Sequence, residues 1–162
     1  MRTSLLLGLV VAPALSLIAC GADDGHHMDA DDPVNCALET TDTFVAGLQK
    51  TGVGGKLDFR LMQATPTPPS RGDNTWIVEV RSLNNGVVGS PISNATSYVT
   101  PFMPKHAHPA ISGEVTPTAN PGGYRMTGVN LWMPGVWETT IEVEATTASG
   151  ADQVVYAFCL PS

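Results

Sequence analysis

The amino-acid sequence predicts an all-β protein, an immunoglobulin-like β-sandwich of about seven short strands. Three observations carry this expectation. Apolar residues alternate with polar ones in several windows, and no window sustains the 3.6-residue period of an amphipathic helix. The chain is also rich in turn formers, with Gly 16 and Pro 13, and only 14% of its residues are charged. Successive side chains on a strand point to opposite faces, so an alternating window buries one face and solvates the other.

Taken in order, Leu57, Phe59 and Leu61 share one face of a strand over residues 56–62, and Trp76, Val78 and Val80 share one face of a strand over 74–82. Between them, Thr65-Pro66-Thr67-Pro68-Pro69 lacks the N–H groups a central ladder needs and reads as a connection. Weaker strands are expected over 96–100, 111–115 and 123–131. The clearest places Trp137, Thr139, Ile141 and Val143 inward against Glu138, Thr140, Glu142 and Glu144 outward. A terminal strand over 153–159 sets Val154, Tyr156 and Phe158 against Val155, Ala157 and Cys159.

The first residues read as an export signal. Arg2 supplies a positive start, and residues 5–17 are almost wholly apolar but too few to span a bilayer as a helix. The signal ends on Leu17-Ile18-Ala19-Cys20, which resembles the bacterial lipobox; the resemblance implies that Cys20 is diacylated and becomes the new N-terminus. Acyl chains then hold the protein on a membrane without a spanning helix. The residue after Cys20 is Gly21 rather than Asp, which in enteric bacteria favours the outer membrane, so an outer-membrane lipoprotein facing the periplasm is expected. Residues 1–19 are thus assigned to the signal peptide and 20–35 to a lipidated acidic tether. That tether carries Asp23, Asp24, Asp29, Asp31 and Asp32 and too little apolar surface to fold alone. Residues 36–162 form the sandwich.

Of three cysteines, lipidation takes Cys20. Cys36 and Cys159 bracket the folded part in an oxidising compartment and are expected to pair, free buried thiols being the alternative.

Four features bear on chemistry. Arg71-Gly72-Asp73 is expected to be a plain loop, and Asn94-Ala95-Thr96 a chance match to a glycosylation acceptor. His26-His27-Met28 in the tether reads as solvated linker with weak metal affinity at most. The fourth is Met103-Pro104-Lys105-His106-Ala107-His108, followed later by Met133-Pro134-Gly135-Val136-Trp137. In an extended segment His106 and His108 point the same way. Imidazole suits copper and zinc, and thioether selects Cu(I), so His106, His108, Met103 and Met133 form a candidate copper site. Pro104 would kink the chain so that Met103 need not face away from His106, and the Lys105 ammonium must point to solvent. The competing reading makes the methionines core fillers and the protein a metal-free structural or interaction module.

Several segments together resemble the YtkA-like (FixH-like) periplasmic domain family of bacterial lipoproteins. They are Pro66-Thr67-Pro68-Pro69 with Arg71 to Trp76, Thr100 to His108, Gly123-Tyr124-Arg125, and Leu131 to Trp137. The resemblance implies an immunoglobulin-like sandwich and an association with envelope copper handling. The family's central motif is closer to MP-x-HGH. This chain has Ala107 where the glycine stands, and Ala disfavours any positive φ required there.

No nucleophile elbow, phosphate-cradling glycine loop or third histidine of a catalytic zinc site is present, and Glu114 is a lone carboxylate candidate, so no enzyme is expected. Nor is a nucleic-acid partner. Of eight Lys and Arg, one leaves with the signal, and the rest face fifteen Asp and Glu. The partners expected are the membrane, through the lipid, and an envelope protein.

Overall fold

The computed structural model describes residues 33–146 and 149–162. The export signal, the lipobox at Cys20 and the tether up to Asp32 lie outside the described residues. Ten strands follow in order: β1 (Leu48–Thr51), β2 (Leu57–Thr65), β3 (Gly72–Asn84), β4 (Val87–Pro91), β5 (Thr96–Met103), β6 (His108–Pro109), β7 (Glu114–Pro117), β8 (Gly123–Leu131), β9 (Gly135–Glu144) and β10 (Ala151–Leu160). They form two antiparallel sheets, one ordered β1-β2-β3-β8-β7 with β4 added to β3, the other β10-β9-β5-β6. The expected sandwich is present, with ten strands rather than about seven. The additional β1, β4 and β6 have 4, 5 and 2 residues, too short for alternation to stand out. The strand expected from Ile111 begins instead at Glu114; Gly113 just before it pairs with Val99 of β5, its N–H donating to the Val99 carbonyl at 3.1 Å.

Alternation decides which side chains are inside. On β9, Trp137, Thr139, Ile141 and Val143 are all fully buried, while Glu138 and Thr140 are half-buried and Glu142 and Glu144 exposed. On β2 the inward set Leu57, Phe59, Leu61 is followed by a bulge between Leu61 and Gln63. The extra residue resets the phase, so Gln63 is exposed where uninterrupted alternation would turn it inward, and Ala64 is buried. β3 sends Trp76, Val78 and Val80 into the core. The indole of Trp76 meets Phe158 and Tyr156 of the other sheet edge-on, at 5.7 and 6.4 Å between ring centres. Its Nε1 has no partner among the described residues. An unpaired buried donor costs about 1–3 kcal/mol, whereas burying an indole contributes about 4–6 kcal/mol at 25 cal/mol/Å². Packing wins.

Arg71-Gly72-Asp73 is not the free loop expected, since Gly72 and Asp73 already pair with Leu131 and Asn130 as the start of β3. Asn74, also buried, ties this entry down: its Nδ2 donates to the carbonyls of Ser70 and Gly72, and its Oδ1 accepts the Ser70 N–H. The Thr65–Pro66 and Thr67–Pro68 peptide bonds of the preceding connection are cis.

Cys36 and Cys159 form the expected disulfide, with Cα atoms 5.5 Å apart, joining a short 3₁₀ turn (Cys36–Leu38) to β10. The residues assigned to the end of the tether are also fastened: Val34 N–H donates to Ser162 Oγ at 3.0 Å, and Asn35 caps the turn.

Candidate functional site

The candidate site grows out of the hairpin between β5 and β6. β5 ends on Met103, which is fully buried. Pro104 has a fixed φ and no N–H to satisfy, so it opens a 3₁₀ turn over Pro104–His106, closed by Ala107 N–H donating to the Pro104 carbonyl at 3.1 Å. Ala107 then takes the left-handed conformation, φ 52 and ψ 36. That residue reverses the chain and lets β6 return antiparallel, Met103 opposite His108 and Phe102 opposite Pro109. The extended run expected through His106 and His108 is therefore a turn. The two imidazoles still meet, stacked 5.9 Å apart between ring centres with planes 28° from parallel.

Directly opposed residues of an antiparallel pair project to the same face. His108 thus shares the inner face with Met103. Its ring lies stacked on the indole of Trp132, centres 5.5 Å apart and planes 15° from parallel, and meets the buried Trp137 edge-on at 6.3 Å. Trp132 and Trp137 are themselves in edge contact at 6.4 Å. Trp137 Nε1 donates to the Met133 carbonyl at 2.9 Å, which fastens the turn that carries both Trp132 and Met133.

Each expected residue has a definite place. His106 is exposed, His108 half-buried, Met133 half-buried against the core and Met103 within it. Gly135 has φ +128, a conformation that favours glycine, and the Met103 methyl fills the space beside it. Pro104 opens the turn, and the β5–β6 register sets Met103 opposite His108 rather than His106. Lys105 is exposed and lines a groove with Pro33, Leu38, Gly135 and Glu138. Glu114 begins β7 opposite Thr127, in the other sheet. Among the described residues no three His, Cys, Asp or Glu side chains converge, so the chemistry available here is imidazole with thioether.

Trp132 was not among the expected site residues. Its signal in the sequence is that a large apolar side chain stands in the turn before β9, outside any alternating window that would bury it; it is 50% exposed.

The outer face of the same sheet carries a different character. Glu138, Glu142 and Glu144 run along β9 beside Tyr98 and Phe102 of β5. On the other sheet a shallow groove is lined by Met62, Ile77, Pro91 and Arg81. The guanidinium there is already committed to Glu79 and to the Gly89 carbonyl, each at 3.0 Å.

Fold and cluster together define a disulfide-closed antiparallel β-sandwich domain in which a hairpin and a turn gather His106, His108 and Trp132 over the buried Met103 and Trp137. The chain belongs to the YtkA-like family, whose model matches residues 55–142, more than half of the chain and all of the hairpin and the Trp132 turn. No curated protein and no solved structure matches it significantly.

Proposed function

We propose that the protein is an envelope lipoprotein, held by lipid on Cys20 in the outer membrane and facing the periplasm, that binds copper for handling or tolerance through His106 and His108, with sulfur from Met103 or Met133. It is a binding protein rather than an enzyme. The observation that carries the copper reading is the β5–β6 register, which sets Met103 and His108 opposite each other on one face of the hairpin. Imidazole and thioether together favour copper, and thioether favours the monovalent ion. A thioether needs no deprotonation and cannot be lost to disulfide formation in an oxidising compartment. His106, exposed at the tip of the turn, is free to rotate its ring toward an ion held by His108.

The test is metal analysis of the lipidated protein, purified in detergent and loaded with copper under reducing and then oxidising conditions. One copper per chain is expected, lost in a His106→Ala, His108→Ala double variant. Equal copper in both proteins would overturn the reading. Anchoring is tested separately by metabolic labelling with an alkyne fatty acid, which should mark the wild type and leave Cys20→Ser unmarked.

A metal-free interaction module is the second reading, and the half-exposed Trp132 favours it, since aromatic side chains are enriched at protein interfaces. A wild type that takes up no copper yet co-purifies with an envelope protein, lost in Trp132→Ala, would select it.

A further inference from the structure

The stack on His108 gives Trp132 a role beyond surface contact. We infer that Trp132 is a positioning residue of the copper site, its indole face holding the His108 imidazole in its binding orientation and stabilising the positive charge that the ring acquires when it ligates a cation. This rests on the copper reading above.

Three features of the geometry lead there. An imidazole binds a metal through a nitrogen lone pair in the plane of the ring, so ligation uses its edge and leaves both faces free for packing. In this structure Trp132 lies against His108 with planes 15° apart, His106 stacks at 28°, and Trp137 meets the ring edge-on. These neighbours restrain rotation of the ring. Outer partners that orient a ligating histidine commonly change metal affinity by about 10- to 100-fold.

Second, the partner is an indole. Its ring face carries partial negative charge and attracts a cation, more strongly than phenyl does. Donation to a copper ion draws electron density from the imidazole, so the face-to-face partner that is neutral toward the free ring becomes attractive toward the ligated one. An aliphatic side chain of similar volume would restrain the ring without this contribution.

Third, Trp132 is itself held. Trp137 Nε1 bonds the Met133 carbonyl one residue further on, and the Trp137 ring meets both Trp132 and His108. The chain thereby couples the turn bearing Met133 to the strand bearing His108.

The experiment compares wild type, Trp132→Leu and Trp132→Phe, each as the complete lipidated chain in detergent, by competition for Cu(I) against a chromophoric chelator and by NMR of the histidine ring protons without metal. Trp132 is half-exposed, and thermal unfolding checks that the variants remain folded. Wild type should show His108 ring protons shifted upfield by the indole ring current, a shift absent in Trp132→Leu. Cu(I) affinity should fall about tenfold in Trp132→Leu and less in Trp132→Phe, which keeps an aromatic face. Equal affinity in all three proteins, with copper still lost in the double histidine variant, would overturn the positioning role and leave the copper reading standing. No copper bound by wild type would remove both. Unshifted His108 ring protons in wild type would overturn the stack itself, whatever the metal result.

Discussion

Asp42 satisfies both main-chain groups of Ala157: its N–H donates to the Ala157 carbonyl at 2.7 Å, and its carboxylate accepts the Ala157 N–H at 2.8 Å. Ala157 lies on the outer edge of β10, a ten-residue strand that pairs on its other side with β9. Lys50 extends the cover, its ammonium donating to the Asp42 carboxylate at 2.6 Å and the Val155 carbonyl at 2.8 Å, and Val53 N–H donates to the Gln153 carbonyl at 2.8 Å. A long unpaired edge is a template for pairing with another chain. Here the segment before β2 closes it with two side chains and two amides.

Removing that cover should expose the edge. Asp42→Ala is expected to lower stability by about 1–3 kcal/mol, through the unsatisfied N–H of Ala157, and to cause concentration-dependent association. Sedimentation velocity over a range of protein concentrations checks the second effect and urea unfolding the first. A monomeric Asp42→Ala protein of unchanged stability would refute the edge-cover account.

Asp152 provides a pH dependence of known sign. Burial alone would raise its carboxyl, but N–H groups of Gly54, Lys56, Leu57 and Gln153 all donate to it, and the net effect holds it below its ordinary value of 3.8. A carboxyl whose folded pKa is depressed contributes stability that is fully present above the unfolded value and is lost as pH falls through the folded one. Wild type should therefore lose stability as pH drops from about 5 toward 2 by more than Asp152→Asn does. The variant should start about 1–3 kcal/mol lower near neutrality. Urea midpoints measured across that range distinguish the two curves.

Ala107 sits at a backbone conformation that costs an L-residue roughly 1–2 kcal/mol. Ala107→Gly removes that cost but frees the unfolded chain, so a net gain of about 0.5–1 kcal/mol is expected, a rise of about 2–4 °C in unfolding midpoint. Calorimetry measures it. A lower midpoint would mean that the turn does not hold Ala107 in the left-handed region in solution.

The disulfide should matter to the same edge that Asp42 covers. Oxidised protein is expected to show no alkylatable Cys36 or Cys159 by mass spectrometry. A Cys36→Ser, Cys159→Ser variant should lose about 2–5 kcal/mol. It should also exchange the Ala157 amide faster in hydrogen-exchange measurements, because the segment that carries Asp42 is then tied to β10 less firmly. Protection at Ala157 equal to that of wild type would separate the disulfide from the edge cover.

Much of the sandwich was legible locally. Trp137, Ile141 and Val143 alternate with Glu138, Glu142 and Glu144, and a two-residue period with one apolar side already says which face is inside. The same logic placed Trp76, Val78 and Val80, and the pairing of Cys36 with Cys159 followed from the cysteine count and the export that the first residues lead one to expect. Local pattern failed where one residue changed the phase or where the strand was too short to have one: the bulge after Leu61 that turns Gln63 outward and Ala64 inward, and the two residues of β6.

The site divides along the same line. His106, His108, Met103 and Met133 were nameable from side-chain chemistry alone, since imidazole and thioether are recognisable ligand types wherever they stand. Their arrangement was not. His108 stands opposite Met103 because a left-handed Ala107 reverses the chain, and its ring stacks on Trp132 because β5 pairs with β9, which follows the Trp132 turn. Asp42 finds Ala157 across 115 residues of chain. Residue type and spacing determine which groups are available and which face of a strand is buried, because both are properties of a few consecutive residues. Which distant groups touch is decided only when strand register and sheet pairing close, because those depend on the packing of the whole core.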